Sequence, residues 1–214
     1  MIENMEVYLV RHGKSADHEG DKRQSPDSPL GLEGIKQANA LAQRMGKEKI
    51  DVVLSSKWDR ARKTAQIVSK KIGKELETFE GIHEKEQNPS LYGANMNSDI
   101  QKKYIEEVEK FGSDLDWKFE GKGESIRDVI KRAASFKDHL ISHHNNQNIL
   151  VVTHGLFIRC FVILALLGED YDDKVFSQIF RSISVANTSI TLLEYVPDRK
   201  HWELRYLNDH LHIR

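Results

Sequence analysis

Residues 7–13 read Val7-Tyr8-Leu9-Val10-Arg11-His12-Gly13. The apolar run from Val7 to Val10 has the character of a buried strand, and it stops abruptly at a cation, an imidazole and a glycine. In an open α/β sheet, ligands bind outside the carboxyl ends of the strands. A triplet of this kind at a strand end is suited to receive an anionic group. The arrangement recurs where Ile149-Leu150-Val151-Val152-Thr153 runs into His154-Gly155. Two strands that each end on a histidine set the fold reading.

Outward from these strands the pattern alternates. After the strand Glu6–Val10, a polar loop (Lys14–Pro29) holds Gly20 and two of the four prolines. A helix is expected from Leu32 to Gly46, with Ile35, Ala38, Ala42 and Met45 on its buried face. A strand over Asp51–Ser55 leads to a helix reaching Ile72, with Ser56 read as its N-cap and Asp59 completing a capping box. A third strand is expected at Glu75–Phe79. Ser125 and Asp128 show capping-box spacing ahead of a helix carrying Ile126, Val129, Ile130, Ala133, Phe136 and Leu140. Asn187–Tyr195 and His201–Leu207 read as closing strands around a turn at Pro197-Asp198.

Strands alternating with helices imply a three-layer α/β/α domain with a mainly parallel central sheet. Residues 81–122 break the rhythm, being polar and turn-rich with one helix near Ile100–Phe111. They read as a small polar cap inserted at about 85–122 over the carboxyl ends of the strands. The whole chain, 1–214, is read as one domain.

Composition excludes several classes. Lys+Arg 32 against Asp+Glu 33 leaves a formal charge of −1, so no global field attracts nucleic acid or an anionic membrane. Cys160 is the only cysteine, which rules out an internal disulfide and suits a reducing, cytoplasmic setting. The opening Met1-Ile-Glu-Asn-Met-Glu has neither a basic nor a long apolar region, so no signal peptide is expected. Ile149–Gly168 is apolar enough to resemble a membrane span. However, Arg159 near a bilayer centre costs about 3 kcal/mol, and a strand, a turn and a buried helix (Leu156–Leu167) account for it better.

The polar residues suggest phosphoryl transfer through a covalent intermediate, which needs a nucleophile, donors for the equatorial oxygens and an acid for the leaving oxygen. Neutral His12 offers a lone pair at pH 7. Arg11 offers a planar fork that matches phosphate oxygens. Gly13 permits close backbone approach and dihedrals closed to other residues. Alone, the tripeptide is equally consistent with a structural histidine beside a surface arginine. Arg60, in the first turn of a helix that follows a strand, adds a second cation at a positive helix N-terminus, while its neighbour Arg62 reads as solvated. His154 supplies a second imidazole, and Glu84 follows the third strand, where it can protonate a leaving oxygen. His83-Glu84-x-Glu86 and His143-His144 lack companion ligands for a metal, so no metal or other cofactor is expected.

Together, residues 7–13, Pro29-Leu30-x-x-x-Gly34-x-x-Gln37-Ala38, Ser55-x-x-x-x-Arg60-Ala61-x-x-Thr64-Ala65, Gly81-Ile82-His83-Glu84, Gly123-Glu124-Ser125, Thr153-His154-Gly155 and Asn187-Thr188-Ser189-Ile190 resemble the histidine phosphatase superfamily. Within it they are similar to the phosphoglycerate mutase-like branch. The resemblance spans nearly the whole chain in the family's order. It implies that His12 is the phosphorylated residue, that Arg11, Arg60 and His154 form the phosphate pocket, and that Glu84 is the proton donor of a metal-independent enzyme. It departs at Lys14-Ser15-Ala16-Asp17-His18, where many relatives carry Glu-Thr-x-Trp-Asn. Ser15 keeps a hydroxyl for the substrate pocket, and His18 replaces an asparagine that often touches phosphate. Gly31 stands where threonine is common.

The short insertion and the ending Leu211-His212-Ile213-Arg214, without a basic proline-containing tail, look more like the phosphatase members than the mutases. The expected activity is hydrolysis of a small phosphorylated metabolite. A mutase-type transfer and a non-catalytic phosphate-binding scaffold stay open as alternatives. Tyr92, Tyr104 and Trp117 are read as anchors of the insertion, not as pocket walls. The sequence leaves the oligomeric state open.

Overall fold

The computed structural model describes residues 4–213. The sequence reading over Met1 to Glu3 and at Arg214 lies outside them. Six strands form one sheet in the order β3-β2-β4-β1-β5-β6. These are β1 (Met5–Arg11), β2 (Val52–Ser56), β3 (Leu76–Phe79), β4 (Asn148–Thr153), β5 (Ile190–Val196) and β6 (His201–Asp209). The first four run parallel, and β5 and β6 close one edge antiparallel. The central strands β1 and β4 are apolar on both faces, as a sheet covered on both sides requires.

One face of the sheet packs on α2 (Leu32–Met45) and α3 (Asp59–Ile72), through Leu41, Met45, Ala61, Ala65 and Val68. The other packs on α5 (Ile126–His143) and α6 (Gly155–Leu167), through Val129, Phe136, Phe157 and Phe161. This is the expected α/β/α layering. Helix α5 opens on the expected capping box, with Ser125 and Asp128 bonded reciprocally. No helix among the described residues is long and apolar enough to cross a membrane.

Several sequence expectations are corrected. Ser56 does not cap α3. The N-cap is Trp58, without a side-chain bond, because the Ser56 hydroxyl is occupied by His154 and by the Trp58 amide. Asp59 instead pairs with the exposed Arg62. Ile35 is 37% exposed and Leu41 is buried in its place. The buried stripe of α2 is rotated because Gly34 presses against the Lys14 backbone, which a Cβ would meet at 2.0 Å. The polar loop after β1 contains the short helix α1 (Ala16–Glu19), and a further helix, α7 (Asp173–Ser182), follows α6.

Residues 81–122 carry α4 (Asp99–Phe111) and lie beside the loop after β1. Arg23 from that loop donates to Gln101 and lies 4.5 Å over the Tyr104 ring.

Candidate active site

The register of the two central strands builds the site. Arg11 of β1 pairs with Thr153 of β4, and the His12 amide donates to the Thr153 carbonyl at 2.9 Å. His12 and His154 therefore leave adjacent strand ends side by side, with ring centroids 4.9 Å apart. Both are buried, at 1% and 0% exposure.

His12 Nδ1 lies 2.7 Å from the Gly13 carbonyl, and Arg60 Nε donates to His12 Nε2 at 3.1 Å. A carbonyl can only accept, so Nδ1 carries the proton and Nε2 presents its lone pair. Burial, and then the positive charges of Arg60 and Arg11, hold the pKa of His12 well below the usual value. The ring is neutral at pH 7. A side-chain contact fixes the turn, as the Asn187 carboxamide Nδ2 donates to the His12 carbonyl at 2.9 Å.

Arg60 lies in the first turn of α3 and is 1% exposed. Its guanidinium reaches His12, the Ser25 carbonyl at 2.8 Å and His154 Nδ1 at 3.3 Å. His154 accepts at Nδ1 and donates from Nε2 to Ser56 Oγ at 3.0 Å, so it too is neutral. Burial is the first cause of its depressed pKa, followed by Arg60. Desolvation lowers the Arg60 pKa to about 10, which leaves it charged at neutral pH. The Trp58 ring lies 4.9 Å from the Arg60 guanidinium carbon and 5.1 Å from the His154 ring.

Arg11 binds the Val185 carbonyl at 2.7 Å, while its buried Nε has no hydrogen-bond partner. Glu84 is held at the N-terminus of α6: one oxygen accepts from the Leu156 amide at 3.2 Å, the other from its neighbour Lys85 at 3.0 Å. Both residues line a cleft of about 500 Å³ above the histidines. The arrangement offers a neutral ring nitrogen surrounded by fixed cations, with a carboxylate on the cleft wall.

Of the residues singled out from sequence, the structure brings His12, His154, Arg11, Arg60 and Glu84 together. Gly13 and Ser15 have other positions. Gly13 is not in the left-handed region. A Cβ there would meet the Gly34 carbonyl at 2.6 Å, and the Gly13 amide donates to Thr64 Oγ1. Its smallness serves close packing of the loop on α2. The Ser15 hydroxyl is fully buried, caps α1 at the His18 amide and accepts from Gln24.

His18 lines the cleft, as do Tyr92 and Tyr104, which serve as walls as well as anchors. Sequence reasoning missed Trp58, Gln24 and Arg159, and it gave Ser56 and Thr64 no role beside the histidines. The lone cation in the apolar run of α6 was the available signal for Arg159.

Comparison with known proteins gives a consistent result. The family model described as histidine phosphatase superfamily (branch 1) matches residues 7–210. Phosphoserine phosphatase 1 of Hydrogenobacter thermophilus is 30% identical over 168 residues, covering 78% of each chain. Phosphoglycerate mutase-like protein 4 of Arabidopsis thaliana is 28% identical over 215 residues, covering 99% of this chain and 88% of its own. A solved phosphoserine phosphatase mutant from Entamoeba histolytica in complex with phosphoserine superposes with a TM-score of 0.76. It shares 28% identity, over 98% of this chain and all of that one.

Proposed function

The chain belongs to branch 1 of the histidine phosphatase superfamily, and on that premise we propose that it hydrolyses a small phosphomonoester through a phosphohistidine on His12. The observation that carries this reading is the Arg60 Nε–H aimed at the Nε2 lone pair of a buried, neutral His12. Substrate phosphate, arriving in the cleft, takes over the Arg60 donors and leaves that lone pair facing phosphorus.

The steps follow from the side chains. Nε2 attacks phosphorus as the bond to the ester oxygen breaks. Arg11, with its free Nε–H, and Arg60 hold the equatorial oxygens where charge builds. His154, fixed by Ser56, lies beside the transferring group. Glu84 gives a proton to the leaving alkoxide and afterwards takes one from water as that water attacks phosphohistidine. The N–P bond breaks, inorganic phosphate leaves and His12 is neutral again. Gly13 and Ser15 support this site by packing and capping. Residues of about 85–122 act as a cap within the same domain, and the buried, unpaired Cys160 suits a reducing cytoplasm.

The mutase reading draws on relatives such as the Arabidopsis mutase-like protein. The two are separated by product. Incubated with 3-phosphoglycerate and its bisphosphate, a phosphatase releases inorganic phosphate, and a mutase yields the 2-phospho isomer without net release. Release of phosphate from a phosphomonoester panel by wild type, and its absence with His12→Ala, supports the proposal. Isomerisation without release overturns it.

A further inference from the structure

The cleft has an uneven charge balance. Six cations line it (Arg11, Lys22, Arg23, Arg60, Lys85 and Arg159) against one carboxylate, Glu84. Arg11 and Arg60 serve the phosphoryl group, Arg23 is held by Gln101, and Lys22 is exposed to solvent. Lys85 and Arg159 have no such assignment. Lys85 is 5% exposed, and its ammonium lies 5.7 Å from the centre of the Trp117 ring. Arg159 projects from α6 over the Phe180 ring at 4.0 Å and donates to the Phe180 carbonyl at 3.3 Å.

Acidic neighbours are committed elsewhere. Glu124 pairs with Arg132 at 2.8 Å, and both Glu84 oxygens accept backbone amides. Burial lowers the pKa of Lys85 and of Arg159, and the charge of Glu84 offsets it only in part. A cation withdrawn from water, wholly as Lys85 or partly as Arg159, is costly unless something anionic meets it.

These two residues also border a second chamber. It has about 440 Å³ and shares a wall of Lys85, Tyr104, Leu156 and Arg159 with the catalytic cleft. Val108, Trp117, Ile126 and Phe180 make the rest of its lining apolar, and the charged Glu109, Asp114 and Arg181 are exposed at the rim. Together the two spaces suit a ligand much larger than a three-carbon ester.

We propose that the leaving group is bipartite: an anionic group held between Lys85 and Arg159, and an apolar, aromatic end seated against Tyr104, Trp117 and Phe180. This deepens the phosphatase reading and rests on it. Carboxylate and ring are recognised separately, the first by charge-assisted bonds and the second by burial. A free ammonium on the leaving group is repelled by the surplus of cations.

The test uses the full chain and a matched series: O-phosphoserine, N-acetyl-O-phosphoserine, N-benzoyl-O-phosphoserine and the primary amide of the last, which lacks the carboxylate. The expected kcat/KM rises about tenfold from acetyl to benzoyl and falls about tenfold or more when the carboxylate becomes an amide. Arg159→Met and Lys85→Met should each shrink the carboxylate preference while keeping the benzoyl-to-acetyl ratio. Val108→Trp, which fills the second chamber, should bring that ratio close to one and keep the carboxylate preference. Calorimetric binding of the same esters to His12→Ala gives the two preferences without turnover.

Equal rates for benzoyl and acetyl esters, or equal rates for acid and amide, in wild type overturn the proposal. So do preferences that survive the three substitutions. Hydrolysis of p-nitrophenyl phosphate without either preference refutes the bipartite leaving group alone. Failure to hydrolyse any ester refutes the phosphatase reading, and the bipartite leaving group falls with it.

Discussion

Arg60 donates through Nε to Nε2 of His12 at 3.1 Å, and through its terminal nitrogens to Ser25 and His154. One guanidinium thus organises both histidines from the first turn of α3. Burial first, and then this contact, keeps the His12 ring neutral, and the contact orients it before substrate arrives.

Removing that guanidinium takes away fixed positive charge where the transition state builds negative charge. Arg60→Ala should lower kcat by a factor on the order of 10² to 10³, the scale of losing a preorganised donor. Arg60→Lys should restore little, because an ammonium cannot span His12, Ser25 and His154 at once. Steady-state kinetics on one phosphomonoester measures both. A kcat for Arg60→Ala within twofold of wild type would remove Arg60 from the mechanism.

Glu84→Gln keeps a carbonyl oxygen toward the Leu156 amide and removes the transferable proton. Alkyl phosphates, whose alkoxides leave poorly, should lose activity far more than p-nitrophenyl phosphate, whose leaving group needs no proton. Equal losses on both would refute proton donation by Glu84.

Stability should depend on pH through His12 and His154. Both stay neutral in the fold because burial depresses their pKa, whereas the unfolded chain takes up protons below about pH 6.5. The unfolded state therefore binds more protons between the folded values and 6.5, so stability falls as pH drops through that window. The slope should reach about 1.4 kcal/mol per pH unit for each ring. Urea unfolding at pH 7.5, 6.0 and 5.5 measures it, and His12→Asn should flatten the slope by one proton. An unchanged slope in that variant would contradict a buried neutral His12.

The fold was legible where local signals agree with burial. The runs Val7–Val10 and Ile149–Thr153 are apolar because β1 and β4 are covered on both faces, and the Ser125–Asp128 box lies where α5 begins. The five polar residues of the candidate site, two of them histidines buried beside the cleft lined by the other three, were visible because three of them directly end or follow a strand. Other features depend on tertiary partners. Ser56 has the spacing of a cap but gives its hydroxyl to His154. Gly13 is small because Gly34 lies against it, a contact across more than twenty residues of chain. Helix α7 passed unread even though Phe176, Ile179 and Phe180 pack on the core, because its polar start continues the turn after α6.

Ser125→Ala should cost about 1 kcal/mol, the usual value of an N-cap, by removing the bond that the Asp128 amide donates to Ser125 Oγ. Activity per folded molecule should be unchanged, since Ser125 lines neither the catalytic cleft nor the second chamber. A stability change below about 0.3 kcal/mol would mean that the cap is redundant.

The most direct test is to trap the intermediate. Wild type mixed with substrate and quenched in alkali within the first turnover should carry one phosphoryl group. Peptide mass spectrometry should place it on His12, and His12→Ala should carry none while losing activity by a factor on the order of 10⁴ or more. A phosphoryl group on another side chain, or phosphate release by His12→Ala at the wild-type rate, would contradict the phosphohistidine mechanism.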